Sequence, residues 1–289
     1  MTNQLLKNLQ GAFAENTLRA YRADFKVFST WCASVEIDPL SASATEVANF
    51  VEAQAEQRKT ATIRRRIASI STLLKLNSYP DPTQSPEVIL ALKRIHRQKG
   101  RAQKQAHPLT KDILDQLIAV TEDDLIGMRD RVMLKLGYET MRRRSELCNF
   151  RFEDIEYLTR EKVGIWLRFS KTDQFGQGKL IPISVALADL IDSWRILLQA
   201  VDGYILRDVA QSGRVNPRMR PGSINVRLKQ LQRVAGLAPS AELSGHSFRV
   251  GGAIDLLEAG ESLEKIMLRG GWRSESTALR YLRNWQTFG

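Results

Sequence analysis

The stretch GHSFRVGGA, residues 245–253, places two potential cations one helical turn apart among three glycines. Residues three apart lie on the same face of a helix, so His246 and Arg249 are expected to project side by side. Two neighbouring cations repel each other unless an anion lies opposite them. The segment therefore predicts a helix whose polar face meets an anion, and the rest of the sequence must indicate which one.

The composition is that of a globular protein with room for two domains. The chain has 289 residues, of which 43% are hydrophobic and 26% are charged. No apolar run approaches the roughly 20 residues of a membrane span, and the first residues lack the features of a secretory signal. Cys32 and Cys148 lie far apart in helix-like segments, which argues against a disulfide framework and fits a reducing cytoplasm.

The net charge of +11 favours a polyanionic partner. Residues 1–106 hold 16 Lys and Arg against 9 Asp and Glu, whereas residues 107–289 hold 27 against 23. Such an excess suits a protein that neutralises phosphates, although a solvated basic surface would give the same count. With three histidines and no CxxC or HExxH spacing, the sequence predicts neither a metal site nor a cofactor.

The first hundred residues predict a small bundle of helices. An N-cap at Asn16 begins a helix with an amphipathic stripe of Leu18, Tyr21, Phe25, Phe28 and Trp31. A capping box from Ser43 to Glu46 begins another helix. A further helix aligns Ile63, Ile67, Ile70 and Leu74, and its Arg64, Arg65 and Arg66 are expected to project away from that stripe.

A basic segment follows the bundle. The run KRIHRQKGRAQK, residues 93–104, has six Lys and Arg residues and no acidic residue, a composition typical of a domain boundary. We therefore predict a helical domain at 1–96, a basic linker at 97–106 and a second domain at 107–289, whose first helix is capped by Thr110.

The second domain is predicted to combine helices with a small antiparallel sheet. VGIWLRFS, residues 163–170, alternates apolar side chains on one face, the period of a strand: Val163, Ile165, Leu167 and Phe169. Residues 179–184 supply a partner strand across a glycine-bearing hairpin loop, and residues 152–158 add a third. The other segments predict helices, with a break near Gly137–Met141, N-caps at Ser223 and Ser262, and stops at Gly236, Gly260 and Gly270.

Four short motifs carry the chemistry, and each alone is weak: TMRRRSEL at 140–147, GHSFRVGGA, GGW at 270–272 and RYLRN at 280–284. In this order and spacing they resemble the tyrosine recombinases of the lambda-integrase type, and the Trp of GGW resembles the Cre-like branch. The resemblance implies a SAM-like core-binding domain and an α+β catalytic domain that clamp DNA. It also implies the catalytic set Arg143, Glu146, Lys171, His246, Arg249, Trp272 and Tyr281.

These side chains suit attack on a DNA phosphodiester. Tyr281 is the expected nucleophile, because a phenol in a cationic setting can attack phosphorus, and the resemblance implies that a 3′-phosphotyrosyl bond forms. Arg143 and Arg249 can present forked donors to the charge that builds on the non-bridging oxygens. His246 and Trp272 are expected to add hydrogen bonds to the phosphate. Lys171 is expected to donate a proton to the leaving 5′ oxygen, and the Glu146 carboxylate to orient the arginine or the histidine.

The expected function is a site-specific recombinase that cuts and rejoins two duplex sites without metal or ATP. The resemblance implies a homotetramer on two double-stranded DNA sites, in the cytoplasm of a bacterium or encoded by a phage or plasmid, with no membrane partner; the sequence names no accessory protein. The alternatives are a type IB topoisomerase-like or telomere-resolving enzyme and, more remotely, a DNA-binding regulator without catalysis.

Several positions have competitors. The arginine run leaves Arg142 and Arg144 as alternatives to Arg143, and Lys179 is the alternative to Lys171. Other tyrosines of the same type are Tyr138, Tyr157 and Tyr204, none at the required distance after GGW. Apolar residues near the C-terminus, which pack either against their own chain or against a neighbouring subunit, are Leu282, Trp285 and Phe288.

Phosphate or base contacts are expected from exposed cations on three helices and the linker. They are Arg19, Arg22, Lys26, Arg64, Arg65, Arg66, Lys93, Arg94, Arg97, Lys99, Arg101, Lys104, Arg227 and Lys229.

Overall fold

The computed structural model describes residues 2–100, 105–170 and 176–282. The chain forms two compact units, Met1–Lys104 and Gln105–Gly289. Helices dominate both, and the described strands form one small antiparallel sheet in the second unit. The expected fold class is confirmed. Within the described ranges, no helix combines the length and the apolar character needed to cross a membrane.

The first unit is a five-helix bundle. Its helices are α1 (Thr2–Lys7), α2 (Glu15–Ser34), α3 (Ala44–Ala55), α4 (Thr60–Leu76) and α5 (Pro86–Lys99). The apolar stripes predicted for α2 and α4 meet in one core, where the Phe28 and Phe50 rings are 5.1 Å apart. The Ser43–Glu46 capping box forms. The cap predicted at Asn16 is wrong, because α2 begins at Glu15 and Ala14, two residues before Asn16, occupies the N-cap position.

One of the three arginines expected to project from α4 is buried. Arg66 is 8% exposed and donates to Gln54 Oε1, and its Nε lies 3.9 Å from Asp24 Oδ1. Asp24 is a buried carboxylate of α2 that also accepts from Arg65 Nη1 and Ser69 Oγ, both at 2.7 Å. Arg66 therefore lies in the bundle interior, where its charge offsets that of the buried Asp24, while Arg65 and Ser69 supply the hydrogen bonds that the carboxylate needs.

The predicted linker begins too early. Helix α5 continues to Lys99, and Gly100 ends it with a φ of 72°. Two of its cations have partners in the bundle: Arg94 pairs with Glu52 at 2.6 Å, and Lys99 Nζ donates to the Ala55 carbonyl. The segment 97–99 is therefore helical.

The second unit surrounds a core made by the sheet and several helices. The helices are α6 (Lys111–Ala119), α7 (Leu125–Thr140), α8 (Arg144–Leu147), α9 (Val185–Leu197), α10 (Pro221–Val234), α11 (Ser247–Glu258), α12 (Leu263–Gly270) and α13 (Glu275–Leu282). The strands are β1 (Ile155–Tyr157), β2 (Val163–Leu167) and β3 (Lys179–Ile183), in the order β1-β2-β3.

The sheet confirms the predicted pairing but is shorter than expected. Ile165 lies opposite Ile155 on one side and opposite Ile181 on the other. Val163, Ile165 and Leu167 are buried. The fourth residue of the predicted alternation, Phe169, lies beyond the end of β2 and is 60% exposed, so its assignment to the buried face is wrong.

The break predicted near Gly137–Met141 is confirmed and shapes the site. Helix α7 ends at Thr140, and Met141 adopts a left-handed conformation with φ 52°. Farther along, Gly251 lets α11 pack against the backbone of Leu109, just before α6. A Cβ at position 251 would lie 1.8 Å from the Leu109 carbonyl oxygen. The glycines of GHSFRVGGA therefore include one required by close packing.

The helix ends agree only in part with the expected caps. Ser262 caps α12 by accepting from the Lys265 amide, whereas α10 starts at Pro221 with Arg220 at the N-cap position, so the cap at Ser223 is wrong. Thr110 occupies the N-cap position of α6 without a side-chain hydrogen bond. Gly236 and Gly260 follow helix ends, but Gly271, not Gly270, is the left-handed residue after α12.

Candidate active site

Side chains from three separate segments meet beside α11. The Arg249 guanidinium carbon lies 4.8 Å from the centre of the Trp272 ring and 5.4 Å from that of Tyr281. The two rings are 4.8 Å apart and inclined at 37°. A small apolar cluster that includes Met141, Val250 and Trp272 supports this arrangement, with Tyr281 packed against it. The motifs separated in sequence are therefore neighbours in space.

The most unusual feature of the site is a set of buried donors without acceptors. Arg249 is 1% exposed, and its Nη1 donates to the Met141 carbonyl at 2.5 Å. Within the described residues, Arg249 Nε and Nη2 and Trp272 Nε1 have no hydrogen-bond partner. A buried donor left unsatisfied costs about 1–3 kcal/mol. Three such donors on two adjacent side chains could be satisfied together by one acceptor-rich group.

The charge of Arg249 is also poorly balanced. Burial lowers the pKa of Arg249, and the adjacent Tyr281 side chain acts in the opposite direction. The charge of Arg143 lowers the Arg249 pKa further, whereas Glu146 raises it. In the part of the chain that the structure describes, Arg249 forms no ion pair, so an anion would stabilise its charged form.

Arg143 is held in place by a buried carboxylate. Glu146 is 3% exposed; one of its oxygens accepts from the Arg143 backbone amide at 3.0 Å and the other from Arg143 Nη1 at 2.8 Å. The Arg143 side chain is still 30% exposed. Glu146 therefore fixes the start of α8 and one edge of the guanidinium, while part of Arg143 faces outward.

His246 stands at the N-terminus of α11, and its residue surface is exposed. Desolvation by the surrounding atoms lowers the pKa of His246, and the charges of Arg249, Arg144 and Arg143 lower it further. The neutral imidazole is therefore favoured, and it can both donate and accept a hydrogen bond.

The other tyrosines that compete by type have their hydroxyls or rings committed elsewhere. Tyr138 donates to Asp255 at 2.5 Å, and burial is the main cause of its raised pKa. Tyr157 donates to Asp192 at 2.9 Å, and burial raises its pKa to about 12. The Tyr204 ring lies under Arg151 and Arg218. Tyr281 is the tyrosine that lies against Arg249.

Comparison with known proteins agrees with this geometry. Residues 107–287 match the phage integrase family, and residues 3–76 match the N-terminal SAM-like domain of phage integrase. The chain belongs to the phage integrase family. It is a tyrosine recombinase, and the resemblance read from four short motifs is confirmed.

Named relatives cover nearly the whole recombinase. An integrase/recombinase xerD homolog from Selenomonas ruminantium is 30% identical over 98% of this chain and 85% of its own length. Recombinase cre of Escherichia phage P1 is 25% identical over 94% of this chain and 85% of its own length. A lambda integrase dimer bound to a COC′ core site has the same fold, with a TM-score of 0.68 at 16% identity, over 96% of this chain and 92% of that one.

Two lysines are candidates for the proton donor of the recombinase site, and the structure describes one of them. Lys171 lies outside the described residues, as do Trp285 and Phe288 near the C-terminus. Lys179, its competitor, begins β3 and donates from Nζ to the Leu268 carbonyl at 2.7 Å. Burial and then the charge of Arg142 lower the Lys179 pKa. Leu282 is buried in the cluster that holds Trp272, within its own chain.

The three arginines of TMRRRSEL have different environments. Arg142 is 3% exposed and donates to backbone carbonyls, and Arg144 packs along Gly245, where a Cβ would lie 2.1 Å from Arg144 Cγ. Sequence reasoning considered Arg142 only as a competitor and missed its buried position. It missed Arg269, which donates to the last turn of α7, and it considered Lys179 only as a competitor of Lys171. The available signal was the helix break predicted near Gly137–Met141, directly before the arginine run.

The proposed DNA-contact residues are only partly free of protein partners. Arg19, Arg22, Lys26 and Arg64 are exposed. Arg227 pairs with the buried Asp130, and Lys229 pairs with Glu242. Exposed cations of α5 are Lys93, Arg94, Arg97 and Lys99; Arg101 and Lys104 lie outside the described residues.

Proposed function

We propose that this recombinase cuts and rejoins duplex DNA by transferring a phosphodiester to Tyr281. The observation that carries the proposal is the set of three buried donors on Arg249 and Trp272, directly beside the Tyr281 ring, that have no acceptor among the described residues. The non-bridging oxygens of a phosphodiester can accept from several donors at once, and guanidinium matches their geometry.

In the first step, the Tyr281 hydroxyl oxygen attacks phosphorus and the bond from phosphorus to the 5′ oxygen breaks. A 3′-phosphotyrosyl bond forms, and a 5′ hydroxyl leaves. Arg143, Arg249 and Trp272 bind the oxygens on which negative charge grows, which lowers the barrier because these donors are already oriented. The neutral imidazole of His246 is the proposed acceptor of the phenolic proton, and Lys171 is the proposed donor to the leaving oxygen.

In the second step, the 5′ hydroxyl of a partner duplex attacks the phosphotyrosyl bond and releases Tyr281. Each step forms one phosphoester and breaks one, so neither ATP nor water is consumed. We propose that four copies act on two DNA sites in the cytoplasm of a bacterial cell. A lambda integrase tetramer bound to a Holliday junction, whose fold is similar at a TM-score of 0.67, supports that assembly by analogy.

The test traps the covalent intermediate. A target duplex is first selected from a random-sequence library by binding to the full chain. A nick beside the cleaved phosphate then lets the short product leave, so the wild type should accumulate a denaturant-stable adduct. Tyr281→Phe should bind within about threefold of the wild type and form no adduct.

Tyr157→Phe is the matched control, because its hydroxyl is bound to Asp192 away from the proposed nucleophile. This variant should form adduct normally. An adduct in Tyr281→Phe would overturn the assignment. A plasmid carrying two sites separates the remaining alternatives: exchange of the sites supports recombination, whereas relaxation alone would favour a topoisomerase-like enzyme.

A further inference from the structure

A buried guanidinium outside the expected catalytic set joins two helix ends beside the site. Arg142 directly precedes Arg143 and is 3% exposed. Its Nε donates to the Thr140 carbonyl at 2.7 Å, and its Nη2 donates to the Arg269 carbonyl. These carbonyls belong to the last turns of α7 and α12, where helix carbonyls have no partner in their own helix. One side chain therefore caps two helices.

Helix α12 returns a similar contact. Arg269 Nε donates to the Glu139 carbonyl at 3.1 Å, in the last turn of α7. The carboxyl ends of helices favour positive charge, so the two side chains stabilise the two ends reciprocally. We call Arg142 and Arg269, with the three carbonyls that they bind, the arginine clasp.

The two joined helix ends lead directly to the site. After α7, the Met141 carbonyl accepts from Arg249, and the chain continues to Arg143. After α12, the chain passes through Gly271 to Trp272, whose ring contacts Tyr281. Gly271 has a φ of 65°, and a Cβ there would lie 2.5 Å from Arg142 Nη1. The clasp thus connects the segment that places the two phosphate-binding arginines with the segment that places the indole.

Burying the Arg142 guanidinium at this position costs free energy, because the charged form loses its hydration. Burial lowers the pKa of Arg142 to about 10, and the charge of Arg249 is the next cause. Arg142 forms no ion pair within the described ranges, so its hydrogen bonds to the Thr140 and Arg269 carbonyls must first offset the cost of burying its charge. Stability alone therefore gives a weak reason for a guanidinium here.

We infer that Arg142 is a positioning residue, which sets the distance between the Arg143–Arg249 pair and Trp272 without contacting the phosphate. The inference rests on the proposed function. Misplacing reacting groups by about 1 Å can cost up to about 100-fold in rate, so loss of the clasp should slow cleavage more than it weakens DNA binding.

The test measures single-turnover cleavage of the nicked duplex at saturating DNA. The fraction of active protein is first determined for each variant from the final amount of covalent adduct that it forms. Arg142→Met should slow cleavage about 10- to 100-fold while the dissociation constant for DNA changes less than about threefold. Arg142→Lys keeps the charge and can reach one carbonyl, so it should recover part of the rate. Arg207→Met is the matched control, because Arg207 also donates to two backbone carbonyls, those of Tyr204 and Asp202.

A double variant shows whether the clasp acts as one unit. Arg269→Met should also slow cleavage, and the double variant with Arg142→Met should be little slower than Arg142→Met alone, because contacts in one network are not additive. If Arg142→Met does not fold, Arg142→Lys provides the second measurement, since it keeps the charge but can reach only one of the two carbonyls.

Three results would overturn the inference: less than tenfold slower cleavage by Arg142→Met, a loss that disappears at saturating DNA, or an equal loss in Arg207→Met. Fully additive losses in the double variant would also overturn it. Failure of the wild type to form any adduct would instead remove the proposed function, so the two failures are distinguishable.

Discussion

Two arginine clusters in the catalytic unit, each with at least one buried guanidinium, differ in the anion that they face. Around Asp130, Arg129 Nε donates at 2.8 Å and Arg227 Nε at 3.3 Å, so one buried carboxylate lies between two guanidiniums. Around Arg249, the neighbouring cations are Arg142 and Arg143, and the nearby carboxylate of Glu146 is bonded to Arg143.

The difference separates charge used for folding from charge kept for function. The Asp130 cluster is complete within the chain, and its ions compensate one another. Within the described residues, the Arg249 cluster has donors without acceptors, so its desolvation is a cost to the free protein. Under the proposed function, the DNA phosphate supplies the missing acceptors. Catalytic sites commonly carry such a cost, because donors oriented beforehand stabilise charge in the transition state.

Asp130→Asn should have the largest effect on stability. Removing the carboxylate leaves the buried Arg129 and the partly exposed Arg227 without their anion, which should lower the free energy of unfolding by about 3–5 kcal/mol. Denaturant unfolding measures the loss. Asp123→Asn is the control, because that carboxylate is 95% exposed in its pair with Arg131 and should cost less than about 1 kcal/mol. Equal losses in both variants would erase the distinction between the clusters.

Arg249→Met should, in contrast to Asp130→Asn, strongly reduce cleavage without reducing stability. Cleavage should fall about 100- to 1,000-fold, because two donors to the transition-state charge are removed. The free energy of unfolding should stay the same or rise, since an unpaired buried charge is replaced by an apolar side chain. Single-turnover cleavage and denaturant unfolding test both parts. A stability loss as large as that of Asp130→Asn would show that Arg249 belongs to the folding class.

Glu146→Gln should have a smaller effect on the same cluster. The amide keeps one acceptor for the Arg143 backbone but loses the charged contact to Nη1, so cleavage should slow about tenfold, equivalent to about 1.4 kcal/mol. The cleavage rate at saturating DNA is the measurement. Glu153→Gln, which affects the more exposed pair with Arg151, should leave the rate within about twofold. A slower Glu153→Gln would contradict the specific role of Glu146.

The smallest expected effect is the pH dependence contributed by His246. Its pKa in the folded chain lies below the ordinary 6.5, so below pH 6.5 the unfolded chain takes up a proton that the folded chain does not. Stability is therefore complete above pH 6.5 and falls as the pH decreases. Because the ring is exposed, solvent screening keeps the difference below about 1 kcal/mol.

Unfolding curves between about pH 5 and 7.5 test this dependence. His246→Gln should reduce the fall in stability, and His107→Gln should reduce it further, because burial lowers the pKa of His107 as well. Greater stability of the wild type at the acidic end of the range would contradict the direction of the shift.

Much of the fold followed from apolar spacing. The stripe from Ile63 to Leu74 and the alternation from Val163 to Leu167 are buried as predicted, because burial at periods of 3.6 and 2 requires only local geometry. The prediction that Phe169 shares this face was wrong, because the end of a strand depends on the partner strand and not on the alternation itself. The order and spacing of the motifs predicted that Arg249, Trp272 and Tyr281 lie close together, as they do.

Adjacent charges were much harder to assign. Arg142, Arg143 and Arg144 are identical in type, and their different surroundings arise from the left-handed turn at Met141 and from the distant end of α12. Arg66 was misplaced for a related reason: its partner Asp24 lies on the apolar stripe of α2. A carboxylate in such a position needs a buried donor, and that signal was available in the sequence.

The central claim is that Arg249 works on charge that develops on the non-bridging phosphate oxygens. A neutral methylphosphonate at the cleaved position removes one of those charges, so cleavage by wild type and by Arg249→Met should be compared on both substrates. The account predicts that the 100- to 1,000-fold defect expected on phosphate shrinks to less than about tenfold on methylphosphonate. An undiminished defect on the neutral linkage would contradict it.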